Sequence, residues 1–227
     1  MTETFIALLF AHLPGDYAFQ TKWMVDNKKN PAVLLLHVAV HLACLIAVLG
    51  GGLQIALAIA AVHLIIDALK TYTFPNTLAA YLIDQFAHLA TIAVAALYAP
   101  DLFANGIWGP SASLFRDPMI LLSGLIACVL AGGPAVGLLL QQYTTPEIES
   151  GLAKGGRLIG ILERGLIFLM VLTGQLAGIG FLIAAKSILR FDTASKDQKN
   201  SEYVIIGTLA SFGWALLIAF LTQSARS

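Results

Sequence analysis

Charge is what this chain has least of. Its 227 residues include 13 Lys and Arg against 13 Asp and Glu, so 11% are charged with zero net balance, while 58% are hydrophobic. So few charges cannot cover a soluble globule of this length. With a mean hydropathy of +0.82, the composition is that of a polytopic membrane protein. The even balance excludes a basic surface for nucleic acid and an acidic tail. Cysteine is nearly absent too: Cys44 and Cys128 stand alone in apolar runs, which excludes a CxxC site and favours two buried thiols over a disulfide. The opening residues lack a basic n-region, carry Glu3 and are interrupted by His12 and Pro14, so this segment is expected to stay rather than be cleaved as a signal peptide. Neither HExxH nor a Ser-nucleophile context occurs, which leaves those hydrolytic designs without support.

Apolar runs of about 20 residues, separated by Gly, Pro or charge clusters, predict an all-α transmembrane bundle of about seven helices, near residues 2–20, 31–49, 53–72, 77–99, 118–140, 157–188 and 202–223. Pro14-Gly15-Asp16 should kink the first. The sixth is too long for an upright span, and its GQLAGIGF run (Gly174, Gly178, Gly180) is where it would bend or let a neighbour approach. The loops DNKKNP, PDLFANGIWGPSASLFRDP, QQYTTPEIESGLAKGG and FDTASKDQKNS are too small to be domains. The chain therefore reads as a four-helix part at 1–100 and three further helices with their loops at 101–227. With seven spans, one face carries Lys22, Lys28, Lys29, Lys70, Lys154, Arg157, Arg164 and Arg226, and the other Arg116, Lys186, Arg190, Lys196 and Lys199. Eight against five inclines the first face to the cytoplasm.

Each of the five histidines has a His or Asp four residues away: His12 with Asp16, His37 with His41, His63 with Asp67, and Asp84 with His88. Positions four apart share a helix face, so each of the first four helices presents one pair. The pairs lie near the end of helix 1, the start of helix 2, the end of helix 3 and the start of helix 4. Hairpin-joined helices alternate in direction, so all four fall at one depth, within about three turns of one face. A single HxxxD is ordinarily a packing hydrogen bond. Four at one depth are not, because three buried carboxylates need counter-charge and Lys70 is the one base between residues 31 and 115. Divalent metal, one or two ions, supplies it, with neutral imidazoles completing the shell. Mixed His and Asp ligation without thiolate favours Zn, with Mn or Fe(II) next. Gln20 continues the His12, Asp16 face and is read as ordinary interfacial solvation.

The segments LLFAHLPGDYAFQTKWM, LLLHVAVHLA, HLIIDALK and YLIDQFAHL, and later GRLIGILERGLIFLMVLTGQLAGIGFLIAAKSILRF and SEYVIIGTLASF, resemble a family of uncharacterised bacterial inner-membrane proteins, the domain of unknown function numbered 3307. The resemblance implies an inner-membrane location and, since members consisting mainly of the first half exist, a family core in the four-helix His/Asp region, and it identifies no reaction. More distantly, the HxxxD and HxxxH helices are similar to membrane-bound metal-dependent hydrolases, at the level of pattern.

The leading expectation is a membrane-embedded metal-dependent hydrolase acting on an ester or phosphoester of a lipid or other amphiphile at the cytoplasmic interface. All eight His and Asp side chains would hold metal, with Asp16 or Asp84 as general base where unligated. Arg157 or Arg164 would hold an anionic headgroup and Arg164 would stabilise developing charge. Glu163 is expected to pair with a neighbouring base, and Lys186 and Arg190 to anchor the opposite face. The competing readings are a divalent-metal transporter or sensor, which needs polar residues at successive depths, and a haem-binding electron-transfer protein.

Overall fold

The computed structural model describes residues 1–143, 155–194 and 198–227, and among these every regular element is helical. Five stretches, Pro31–Leu49, Leu53–Thr73, Leu78–Tyr98, Gly109–Tyr143 and Ser201–Arg226, are long and apolar enough to cross a bilayer, which marks a membrane protein. The chain divides into two compact units, Met1–Ile126 and Ala127–Ser227.

The first unit contains α1 (Thr2–Tyr17), α2 (Lys22–Asp26), α3 (Pro31–Leu49), α4 (Leu53–Thr73), α5 (Leu78–Tyr98) and α6 (Ala112–Ile126). Local chemistry sets the boundaries. Thr21, Asn30 and Thr77 cap α2, α3 and α5 by accepting from the N–H groups of Met24, Ala32 and Ala80, and Pro31 occupies the first turn of α3, where its missing N–H costs nothing. The α3–α4 turn needs glycine twice: Gly50 (φ 60°) and Gly52 (φ 63°) take left-handed backbone, and a Cβ on either would strike Ile107 or Leu102, so residues 99–111 can seal that end. Thr4 Oγ1 donates to Pro100 O at 2.7 Å and Trp108 Nε1 to Ala47 O at 2.9 Å, while Phe103 is fully buried beneath. Helix α1 packs on α3, α5 and α6, α3 on α4, and α4 on α5. Ile6, Leu8, Leu45, Leu49 and Ile92 fill the interior towards the sealed end. Leu35, Leu36, Ile65, Leu69, Ile83 and Phe86 face outward, whereas all five histidines are buried, the distribution that a lipid solvent selects.

The second unit opens with a π-helical turn, Ala127–Ala131, followed by α7 (Gly132–Leu140), α8 (Gly155–Leu172), α9 (Leu176–Ala194) and α10 (Gln198–Arg226). A π turn leaves carbonyls without their usual partners. Here Val129 O accepts from Arg164 Nε and Nη2, and Ala127 O from Trp214 Nε1.

The count of seven is corrected. The expected helix at 157–188 is two helices, α8 and α9, broken at Gly174, which takes φ +72°. The chain reverses there, because Lys186 Nζ on α9 reaches Glu163 on α8 at 2.7 Å. Lys186 therefore shares the end of Glu163 and is not an anchor at the opposite face, so the count of eight against five fails with the helix it assumed. Lys154 and Lys196 lie outside the described residues. Helix α1 is 16 residues long and ends one turn past Pro14, and the fifth expected helix starts at Ala112 rather than near 118.

Gly174 yields a first prediction. No atom lies within 4 Å of a Cβ placed there, so Gly174→Ala should cost about 1–2 kcal/mol from left-handed backbone alone. Gly180→Ala, in α9 with equally open space, should instead gain about 0.5–1 kcal/mol from helix propensity. Denaturant unfolding of the two variants checks the opposite signs.

Candidate metal centre

The helix pairing brings the four His/Asp pairs together at the end of the first unit away from the seal. Asp16 Oδ1 is the hub, 2.8 Å from His41 Nε2, 3.2 Å from His37 Nε2 and 3.9 Å from His63 Nε2. The Nε2 atoms of His37 and His63 are 3.3 Å apart. Around an ion held at about 2.0–2.1 Å, a tetrahedral set has ligand–ligand edges of roughly 3.3 Å, which these separations bracket. Asp16, His37, His41 and His63 thus form one set able to hold an ion, and His63, Asp67 and His88 form a second. Because His63 belongs to both and a neutral imidazole offers one lone pair, the two sets are alternative positions for an ion. His12 and Asp84 lie beside the sets and not in them: His12 Nε2 is 3.5 Å from Asp16 Oδ2, with its ring stacked 5.2 Å from His88.

Hydrogen bonding shows what the imidazoles offer. His88 Nδ1 lies 2.8 Å from the Asp84 carbonyl. A carbonyl only accepts, so Nδ1 carries the proton and Nε2 of the neutral ring presents a bare lone pair. That Nε2 is buried without a hydrogen-bond partner, as are His12 Nε2 and Asp84 Oδ1, while Asp67 Oδ2 lies 3.2 Å from His37 Nε2 and 3.5 Å from His63 Nε2. Three such atoms in one cluster suit a cation better than further hydrogen bonds. A cavity of about 10 Å³ adjoins the ring atoms, lined by His12, His41, His63 and His88 and by apolar Leu8 and Ile92 among others, room for one water-sized ligand. Gly15 permits the closeness: a Cβ there would lie 2.6 Å from His41 Cε1 and Nε2.

Cationic charge is not missing from the cluster, contrary to the expectation from sequence. Lys28 Nζ reaches Asp67 Oδ1 at 2.9 Å and Lys70 Nζ reaches Asp84 Oδ2 at 2.7 Å. Two of three carboxylates therefore have ammonium partners, and Asp84 does not require metal to be ionised in the bilayer. Gln20 is also part of the site, with Nε2 3.2 Å from His37 Nδ1. Gln85, unremarked in the sequence, donates to Asp16 Oδ2 at 3.3 Å and to Asp84 Oδ2 at 3.1 Å. The signal for Lys28 was its place in DNKKNP, at the depth of the four pairs.

In the second unit, Arg164 is buried and gives Nε and Nη2 to Val129 O and Nη1 to Ser211 Oγ at 3.1 Å. Gly132 and Gly160 make room for its side chain, since a Cβ on either would approach it to 2.9 Å. These contacts hold α8 against the π turn and α10. Arg157 is exposed on α8, and Glu163 has the basic partner expected for it in Lys186.

Fold and site define a helical membrane protein with a buried His/Asp cluster able to hold a metal ion. Residues 4–107, which contain all eight His and Asp positions, match the family described as "Protein of unknown function (DUF3307)", so the family resemblance is shown over this segment. No curated protein and no solved structure matches the chain.

Proposed function

We propose that the first unit is a metal-dependent hydrolase embedded in the bacterial cytoplasmic membrane, acting on an ester or phosphoester of an amphiphile at the cytoplasmic interface. The observation that carries the metal is the convergence of three Nε2 atoms on Asp16 Oδ1 beside the lone pair of His88. Zn is the favoured ion, since tetrahedral N and O ligation suits it. A bound ion lowers the pKa of a coordinated water. Asp84, outside both ligand sets, would serve as general base, taking a proton from that water and returning it to the alcohol released when the ester C–O or P–O bond breaks.

Two features favour hydrolysis over transport. The cluster sits at one end of the unit while residues 99–111 seal the other, so polar groups do not continue to the far face, as an ion pathway needs. Lysines also flank the cluster, paired with Asp67 and Asp84, and would offer counter-charge to an anionic substrate once an ion draws on those carboxylates. Haem gains no support, since histidine ring centroids 3.8 to 5.7 Å apart leave no slot for a porphyrin. The basic residues of the first unit support a cytoplasmic site, since Lys22, Lys28, Lys29 and Lys70 lie at its end and Arg116 at the other.

The test is elemental analysis and an optical spectrum of purified wild type beside His41→Ala, followed by a panel of ester and phosphoester amphiphiles. Stoichiometric Zn, Mn or Fe that is lost in the variant, with metal-dependent hydrolysis, is the expected result. A Soret band would sink the metal-hydrolase reading, and metal uptake into sealed vesicles without turnover of any ester would replace it with transport.

A further inference from the structure

Charge around the cluster does not stay balanced once an ion is held. Asp16, Asp67 and Asp84 carry three negative charges, Lys28 and Lys70 two positive, and imidazole ligands are neutral. The protein alone thus holds one net negative charge. One divalent ion turns this into one net positive charge. The His and Asp side chains of the cluster are at most 10% exposed, and uncompensated charge at such depth is costly.

The lysines are the members of the cluster that reach outward. Their side chains are 18% and 29% exposed, and they come from separate elements, Lys28 from the α2–α3 loop and Lys70 from the last turn of α4. An ion drawing on Asp67 weakens the hold of that carboxylate on Lys28, so metal loading releases positive charge at the entrance. The same end exposes Phe19, Trp23, Tyr72 and Phe74, aromatics of the kind that sit at headgroup level. Tyr72 Oη donates to Lys29 O at 3.1 Å, which ties the end of α4 to the loop bearing Lys28.

We propose that Lys28 and Lys70 form the entrance of an oxyanion site coupled to metal binding, which takes a phosphate group, free or as a lipid headgroup, as the counter-charge of the loaded centre. This rests on the cluster being a metal centre, and it names the charge class of the substrate. Coupling is reciprocal: phosphate should tighten metal binding as metal tightens phosphate binding.

The experiment measures Zn²⁺ affinity of the full chain by competition with a chelating dye at constant ionic strength. The arms are zwitterionic detergent with chloride, the same detergent with inorganic phosphate, and nanodiscs of phosphatidylcholine with or without phosphatidic acid. Phosphate or phosphatidic acid should raise affinity about 5- to 20-fold, within the usual range of coupling. A response to inorganic phosphate identifies free oxyanion as a sufficient ligand, and a response to phosphatidic acid alone identifies the headgroup. Lys28→Met and Lys70→Met, made singly and checked by melting, should bind Zn²⁺ more tightly in chloride, since a carboxylate is freed, and lose the phosphate response. Equal affinity of the wild type in all arms overturns the oxyanion site while leaving the metal centre standing. Failure to bind Zn²⁺, Mn²⁺ or Fe²⁺ in any arm removes both.

Discussion

Asp16→Asn should abolish stoichiometric metal binding. Asp16 is the carboxylate with three imidazole nitrogens within 3.9 Å of one oxygen, and it is the one aspartate of the cluster whose charge is not met by lysine. Asparagine preserves size and an accepting oxygen but removes the charge. Two carboxylates then face two ammoniums, and a divalent ion entering that neutral site leaves two positive charges buried. Loss of an outer-shell partner alone costs about 10- to 100-fold in affinity, so loss of the anionic hub should exceed about 100-fold. Bound metal stabilises the folded state by roughly 2.7 kcal/mol at 100 times Kd. Chelator should therefore lower the melting temperature of the wild type and leave Asp16→Asn unmoved. Asp84→Asn is the contrast: Asp84 stands outside both ligand sets and is paired with Lys70, so the expected loss is about tenfold, the lower end of outer-shell effects. Equal losses at the two positions would displace Asp16 from the hub.

What was legible in the sequence was whatever repeats locally. Four pairs at i, i+4 on consecutive apolar helices carry their own facing, and alternation of hairpin direction carries their depth, so convergence of His37, His41, His63 and Asp67 needed no tertiary information. The partners of the carboxylates were not legible in this way. Lys28 pairs with Asp67 across 39 residues from a loop whose path is set by the caps at Thr21 and Asn30, outside the 31–115 stretch in which Lys70 is the one base. Gln85 escaped because it falls next to Asp84 and off the four-residue spacing. The bend at Gly174 was legible in GQLAGIGF, but the full reversal there was not, because continuous hydrophobicity reads as one helix until a single residue takes left-handed backbone. Arg164 in LERG reads as a ligand for anions because nothing in ACVLA announces the π turn at 127–131, where Val129 O, together with Ser211 Oγ, engages its guanidinium.

Gly15→Ala should disable the centre without touching a ligand. The added Cβ would lie 2.6 Å from Cε1 and Nε2 of His41 and 2.9 Å from Cδ2, well inside van der Waals contact, so ring or helix must shift. The ring has no room behind it: His63 lies 3.8 Å away between centroids, His37 4.9 Å and His12 5.2 Å. Overpacking of this kind costs about 1–3 kcal/mol, and a ligand displaced by more than about 0.5 Å no longer holds productive geometry. The expected result is a lowered melting temperature in the presence of chelator together with a 10- to 100-fold loss of metal affinity, the magnitude of a damaged supporting shell. These two readouts separate the outcomes. A destabilised protein with unchanged metal affinity would mean that His41 is a packing residue and that the ion, if held, is held by the set of His63, Asp67 and His88. Replacement of His41 by Ala in the Gly15→Ala background should recover the stability, because the clash is gone, and should not recover the metal.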